Sequence, residues 1–374
     1  MPERPAPLVL VTIPPEGQPF GSHAAIAADG QRLLATDLSH RLGRLGAAVA
    51  PLAAAASEGF HWGRWFTAAA RSALDAAPEP VDTIGYAGGS SMSLMSDDAL
   101  DTLLSPIAGE VVANNRFSAD AFVVAGDLEL ALRTVETCDT DNAAPRRLNE
   151  AGFAWRDLGT TPWARFDVDT TLDLALLRLA TRLPGTRRFD GSVSGYLEMA
   201  RLPGGEALEV PHLARIGEVV RDRSGELVVA GRLPGTTLAE LETETACRVR
   251  SFVEERGMRS ARGGGTPPRS LLAAYLERTS PEDLVAELAR LGDAVVLDSR
   301  VLMASLAGSA EASSWPPEEE RFASDFGDAG RVATPWLREL TEAAAGAEVP
   351  FLFGGHALVS DGLRLIMAAA WQGH

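Results

Sequence analysis

Lysine is missing from this chain. All 34 basic side chains among its 374 residues are arginine. A step that needs a lysine amine, as Schiff base or as phosphate ligand, must fall to arginine or not occur. Cysteine is scarce, with Cys138 and Cys247 the only two. Two in a chain this long make no disulfide framework, and they are not spaced as a metal cluster. Buried free thiols are the expectation. No run of about 18 apolar residues free of charge and turn signals occurs, which predicts no membrane span. The opening stretch MPERPAPLVLVTIPPEGQ lacks the basic start and long apolar core of a signal peptide. A cytoplasmic protein is therefore expected. Positive charge is also in deficit, the net charge being −17. That argues against a nucleic-acid partner, whose backbone is bound by clustered cations.

Burial is well provided for. Hydrophobic residues make up 46% of the chain, and 374 residues exceed what one core commonly serves, so two domains are expected. Short apolar runs read as strands: Leu8–Ile13, Val81–Ala87, Glu110–Ala113, Ala121–Ala125 and Ala164–Val168. Between them lie helical patterns at Leu33–Leu45, Ala99–Ile107, Asn142–Gly152 and Thr171–Leu183. Strands alternating with helices predict an α/β fold: a three-layer α/β/α arrangement around a mostly parallel sheet. Residues 1–185 read as this domain and 186–205 as a Gly-, Pro- and Arg-rich linker. Residues 206–374 read as a second, smaller α/β or α+β region. There Gly225–Ala230, Ala294–Asp298 and Val349–Phe353 are expected strands, and Leu208–Arg223 and Glu282–Leu291 helices. Glu242–Arg250 reads as a charged, solvated helix, and Ser260–Ser270 as a loop.

The sharpest constellation is Arg165–Leu174, RFDVDTTLDL. An apolar strand ends in alternating acids, so Asp167 and Asp169 would share a face if the strand continued, unless one leaves it as it ends. A carboxylate at the carboxyl end of a strand lies where ligands bind in open α/β sheets, and it can hold Mg²⁺ against a triphosphate. A capped strand–helix junction explains the same residues, with Thr170 or Thr171 as the cap and Asp173 in the first turn.

This segment resembles the "DIDTPEDL" stretch of MobA-like nucleotidyltransferases. Four upstream segments fall in matching order. Asp141–Gly152 resembles the helix before that stretch. Tyr86–Leu94 (YAGGSSMSL) takes the place of a strand running into a "GDMPFL" loop. Asn114, Asn115 and Asp120 lie where the next strand begins, and Gly21–Leu34 resembles a worn nucleotide loop. The resemblance spans residues 8 to 183. It implies a Mg²⁺-dependent transfer of a nucleotide from a nucleoside triphosphate to a small phosphorylated acceptor. Asp169 would be the metal carboxylate, with Asp167 beside it. Gly88, Gly89, Ser90 and Ser91 would contact the ligand through backbone N–H groups, near Asn114 and Asn115. His23 and Arg32 would stand in at the phosphates. The chain departs from the pattern where Gly88-Gly89-Ser90 carries no carboxylate and where TIPPEGQPFGSH replaces the Gly-rich loop.

Those departures keep a non-catalytic reading open, in which the first domain binds a nucleotide or scaffolds and the second half forms an oligomer or partner interface. Asp139-Thr140-Asp141 has the Asp-x-Asp look of a GT-A glycosyltransferase, though helix capping also explains it. Phe60–Phe66 (FHWGRWF) reads either as a base-stacking patch or as the core and rim of a helix. In the second half, Gly354-Gly355-His356 follows a strand, with Ser360 and Asp361 soon after. Paired glycines let a backbone approach a ligand closely, and His356 can transfer a proton; a tight turn is the plainer reading.

Overall fold

The computed structural model describes residues 5–14, 21–53, 60–116, 118–258 and 266–372. The expected loop at Ser260–Ser270 lies largely outside them, as do residues 15–20 of TIPPEGQPFGSH. Two compact α/β units are present. Among the described residues the first comprises 5–14, 28–169 and 189–193, and the second 21–27, 170–188 and 194–372. The chain thus crosses between units at Asp169–Thr170, inside RFDVDTTLDL. The expected linker at 186–205 instead contains a helix, Gly191–Met199.

The first unit holds strands β1 (Leu8–Ile13), β2 (Ala48–Ala53), β3 (Thr83–Ala87), β4 (Glu110–Ala113), β5 (Ala121–Ala125) and β6 (Ala154–Asp157). Their order is β2-β1-β3-β5-β4-β6, with β5 antiparallel to β3 and β4 and the other pairs parallel. Helices α1 (His23–Arg44), α2 (Trp62–Asp75), α3 (Asp97–Leu103), α4 (Leu128–Glu136) and α5 (Ala144–Glu150) cover it. The strands show why two layers of helix are needed. Leu8, Leu10, Ile84, Tyr86, Val111 and Phe122 pack with α2, α4 and α5. Their alternating neighbours Val9, Val11, Ala87, Val112 and Val123 pack with α1 and α3. Both faces are buried at the centre of the sheet, so β1, β3 and β5 are mostly apolar, while the edge strands β2 and β6 are more exposed. Phe66 is fully buried and stacks on Trp62 at 5.3 Å. Each such ring stabilises by roughly 1.5–3 kcal/mol. The FHWGRWF aromatics are therefore largely core, with His61 capping α2 at the Arg64 N–H.

Ala164–Val168, expected as a strand, lies outside the sheet. Turns closed by Thr161, Ala164 and Phe166 amides on Leu158, Thr161 and Trp163 carbonyls absorb its backbone. Asp167 makes only an isolated antiparallel bridge to Ser91. Two strands went unread: β2, whose Pro51 is tolerated at a sheet edge, and β6.

The second unit has a parallel sheet of order β10-β9-β7-β8. Its strands are β7 (Glu226–Gly231), β8 (Arg248–Val253), β9 (Ala294–Asp298) and β10 (Phe351–Gly354). Its helices are α6 (Thr171–Ala180), α8 (Leu213–Arg221), α9 (Gly235–Glu244), α10 (Leu271–Leu276) and α11 (Pro281–Leu291). To these add α12 (Ser299–Ala307), α13 (Glu318–Asp325), α14 (Pro335–Gly346) and α15 (Leu363–Trp371), with α7 being Gly191–Met199. Val228, Ala230, Val295, Leu297 and Phe353 build the core with α10, α11, α12 and α14. The charged helix expected over Glu242–Arg250 ends at Glu244, and Arg248–Val253 is strand instead. Its R-V-R-S-F-V alternation has period two, and Arg248 and Arg250 reach Glu226 at 2.6 and 3.2 Å. No helix among the described residues is long and apolar enough to cross a membrane.

Candidate functional site

In the first unit the predicted residues gather at the carboxyl end of β3. Gly88 and Gly89 leave the strand, and Ser90 and Ser91 meet Asp167. The Ser90 hydroxyl donates to Asp167 Oδ1 at 3.2 Å. The same oxygen accepts from the Val168 N–H at 2.8 Å, and the Met92 N–H donates to the Phe166 carbonyl at 2.9 Å. Gln31 of α1 holds the Val168 carbonyl at 2.9 Å. Phe166 and Val168 point inward and are buried, so Asp167 is left half-buried and Asp169 exposed. The alternation read from the sequence persists as alternating burial, although the segment is not part of the sheet.

The glycines have another explanation than ligand access. A Cβ on Gly89 would lie 2.1 Å from the Thr12 carbonyl oxygen and 2.6 Å from the Ala35 Cβ. The Gly89 N–H donates to Thr12 Oγ1 at 2.9 Å, Gly88 N–H to the Asp120 carbonyl at 2.7 Å, and Ser91 N–H to the Gly88 carbonyl at 3.1 Å. The backbone donors expected to face an anion are thus used within the protein at these three positions.

The other predicted residues are placed as follows. Asn114 is fully buried. Its Oδ1 accepts from the Asp120 and Ala121 amides, each at 3.0 Å, and its Nδ2 donates to the Ala164 carbonyl at 2.9 Å. It braces the β4–β5 turn rather than a ligand, while Asn115 beside it is half-buried. Arg32 is paired with Asp29, one helical turn away. His23 belongs to the second unit, is 1% exposed, and stacks on Phe326 at 5.4 Å. Burial pushes its imidazole pKa down, against the pull of Glu319 and Asp328. A phosphate-contacting role is not open to so buried a ring. Asp141 accepts from the Tyr86 hydroxyl at 3.3 Å and from the Asn142 N–H at 2.8 Å, whereas exposed Asp139 lies 3.4 Å from His61; the short turn at Asp141–Ala143 has no side-chain cap. Thr170 and Asp173 form a capping box on α6. Both cysteines are free and buried, and burial pushes the Cys138 thiol up to about 11.

In the second unit Gly354 ends β10, buried Gly355 and exposed His356 follow it, and the structure adds residues that the sequence did not point to. Asp298 ends β9 with no exposure. Arg232, just past β7, grips it with Nε at 2.6 Å and Nη2 at 3.0 Å. Burial would raise the Asp298 carboxyl pKa, but Arg232, His356 and Arg300 outweigh burial and hold it below its ordinary value. Arg300, 5% exposed, donates to Ser299 Oγ at 3.0 Å and to Asp325 at 2.6 Å. The available signal was a strand ending directly on a charge, in VVLDSR and in VVAGR. A shallow depression of about 560 Å³, lined by Arg223, Thr243, Glu244 and Trp371, lies at the amino ends of β7 and β8. Open α/β sheets bind ligands at the opposite edge.

No family model matches the chain, and no curated protein matches it.

Proposed function

We propose that the first unit is a nucleotide-binding domain that transfers a nucleotide from a nucleoside triphosphate to a small phosphorylated acceptor. The observation that carries this reading is Asp169: an exposed carboxylate beside half-buried Asp167, on a segment tied to the loop that leaves β3. Mg²⁺ suits such a place. It binds through one or two carboxylates, and phosphates and water complete its shell. Asp169 would hold the ion, which when bound would offset triphosphate charge at the reacting phosphorus. Asp167 does different work. By accepting from Ser90 it fixes the loop against the Asp169 segment, so the carboxylate is held before ligand arrives.

The use of the Gly88, Gly89 and Ser91 amides inside the protein favours a second reading, binding without turnover. One experiment separates the two. Thermal shift with GTP, CTP, ATP and UTP, each with and without Mg²⁺, is followed by a pyrophosphate-release assay with candidate sugar and cofactor phosphates. Metal-dependent binding with pyrophosphate release that Asp169→Asn abolishes supports transfer. Binding without release supports the second reading, and no shift with any triphosphate overturns both.

A further inference from the structure

We propose that Arg165 holds the phosphate of the acceptor, so that the first unit takes phosphate monoesters and not neutral alcohols. The inference rests on the transfer reading above and supplies a cation which that reading lacks. Without lysine, phosphate charge in this chain must be met by arginine or histidine. Both expected candidates are spent: His23 is buried, and Arg32 is paired with Asp29.

Residues 164–169 run as a strap across the carboxyl edge of the first sheet. Alternate carbonyls fasten it. Asn114 Nδ2, just past β4, donates to the Ala164 carbonyl at 2.9 Å. The Met92 N–H, in the loop after β3, donates to the Phe166 carbonyl at 2.9 Å. Gln31 of α1 donates to the Val168 carbonyl at 2.9 Å. Ala164, Phe166 and Val168 are at most 1% exposed. The side chains between them differ: Arg165 and Asp167 are half-buried and Asp169 is exposed. The backbone on either side is strained. Met92 (φ 54°) and Trp163 (φ 63°) are two of the four non-glycine residues with positive φ among the described residues. Bulky side chains rarely adopt that conformation, and it persists only where the surroundings over-determine it.

Arg165 is the positioned cation of this strap. Its Nε donates to the carbonyl of Gly159, two residues past β6, at 2.9 Å. That bond orients the guanidinium. Among the described residues nothing in the protein bonds Nη1 or Nη2. Asp157, in the same loop, turns instead to the Gly159 N–H at 2.9 Å. Neighbouring arginines are engaged elsewhere: Arg116 lies over the Trp155 ring at 5.0 Å, and Arg156 pairs with Glu110 at 3.0 Å. A guanidinium with both amino groups unspent matches two phosphate oxygens.

Position separates this anion from the donor's. The chain leaves β1 for β2 on one side, whereas β3 lies on the other, so strand order reverses between β1 and β3. Open α/β sheets bind ligands at such a reversal. Asp169 is at the end of the strap tied to α1, and Arg165 at the end tied to the loops after β4 and β6. A triphosphate at the reversal and a monoester at Arg165 would therefore approach each other along the strap. In the transfer an acceptor phosphate oxygen bonds to the α-phosphorus. The bond from that phosphorus to the bridging oxygen of the β-phosphate breaks, and pyrophosphate leaves with the electron pair. A dianionic monoester need lose no proton. Arg165 would hold the phosphate oxygens that do not attack.

The test is a calorimetric titration of the full chain with inorganic phosphate and with sugar phosphates, each matched by its unphosphorylated sugar, without triphosphate or divalent metal. Triphosphate binding with Mg²⁺ is measured in parallel. Arg165→Gln removes the guanidinium, and Arg165→Lys keeps the charge without the fork; thermal melts establish which variants fold. Support is saturable monoester binding, absent for the sugars, that falls about tenfold or more in Arg165→Gln and by a smaller factor in Arg165→Lys, with triphosphate binding unchanged. No saturable monoester binding, or binding undiminished in the folded variants, overturns the inference. Equal loss of triphosphate and monoester binding also overturns it, by placing Arg165 on the donor. The transfer reading fails separately, if no triphosphate binds, and the acceptor role then falls with it. Undiminished monoester binding beside metal-dependent triphosphate binding removes Arg165 alone.

Discussion

Arg232 clasps Asp298 with two parallel hydrogen bonds, Nε at 2.6 Å and Nη2 at 3.0 Å, across neighbouring strand ends of the second unit. The acid has no exposure and the base little. Removing one partner leaves an uncompensated buried charge. Arg232→Met is therefore expected to cost about 3–5 kcal/mol in urea unfolding. The Arg232→Met/Asp298→Asn double variant should recover part of that loss, as a double-mutant cycle shows. Acid should weaken the same pair. The folded carboxyl pKa lies below its ordinary 3.8, so its stabilisation is present above that value and fades as pH falls through the folded one. Asp298→Asn should lack this loss below about pH 4. An equal acid response in both proteins would count against it.

Gly88 and Gly89 look alike in the sequence but are expected to respond oppositely to alanine. At Gly89 the new Cβ would sit 2.1 Å from a backbone oxygen, whereas at Gly88 the nearest atoms are 3.4 Å away. Overpacking of this kind costs roughly 1–3 kcal/mol. Gly89→Ala should lower the denaturation midpoint by that amount, and Gly88→Ala should leave it within about 0.5 kcal/mol. Equal midpoints would show that the β3 loop relaxes freely.

Asp169→Asn separates binding from stability. The side chain is exposed, so melting should move by no more than about 0.5 kcal/mol. Metal-dependent triphosphate binding should nonetheless fall at least tenfold, measured by calorimetry with Mg²⁺ present. A variant that binds triphosphate and Mg²⁺ as well as the wild type would remove Asp169 from the proposed site.

Much of the fold was legible because two-faced burial leaves a strong mark. LVLVTI, AFVVA, ELVVAG and AVVLD each carry a run of at least four apolar residues, and each is a strand. β2 escaped because Pro51 breaks the pattern, and the strand survives only at an edge. RFDVD misled in the other direction: its alternation is real, but the turns before it withhold it from the sheet. The site was harder to read. Asp167 is half-buried and Asp169 exposed, yet Asn114 and His23 are buried supports. Asp298 and Arg232 went unread because their meaning lies in strand order, which brings residues 66 positions apart together and which no local pattern encodes.

His23 makes a pH-dependent prediction. Its ring is buried, and neither nitrogen has a hydrogen-bond partner among the described residues. The nearest charge, Asp328 Oδ2, is 3.8 Å from Nε2, with Glu319 and Arg331 alongside. Burial holds the folded pKa below the ordinary 6.5, so the unfolded chain takes up a proton that the folded one refuses. Stability should therefore decline as pH falls from about 6.5 towards the folded value, with a slope of at most about 1.4 kcal/mol per pH unit from this group. His212, also pushed down by burial and by Arg215, adds a decline of the same sign. His23→Phe keeps the stack on Phe326 and removes the proton site. At pH 7.5 it should cost less than about 1.5 kcal/mol, as a near-isosteric exchange. Between pH 6.5 and 5 its urea midpoint should fall less than that of the wild type. Parallel declines in the two proteins would show that His23 is not the group that titrates.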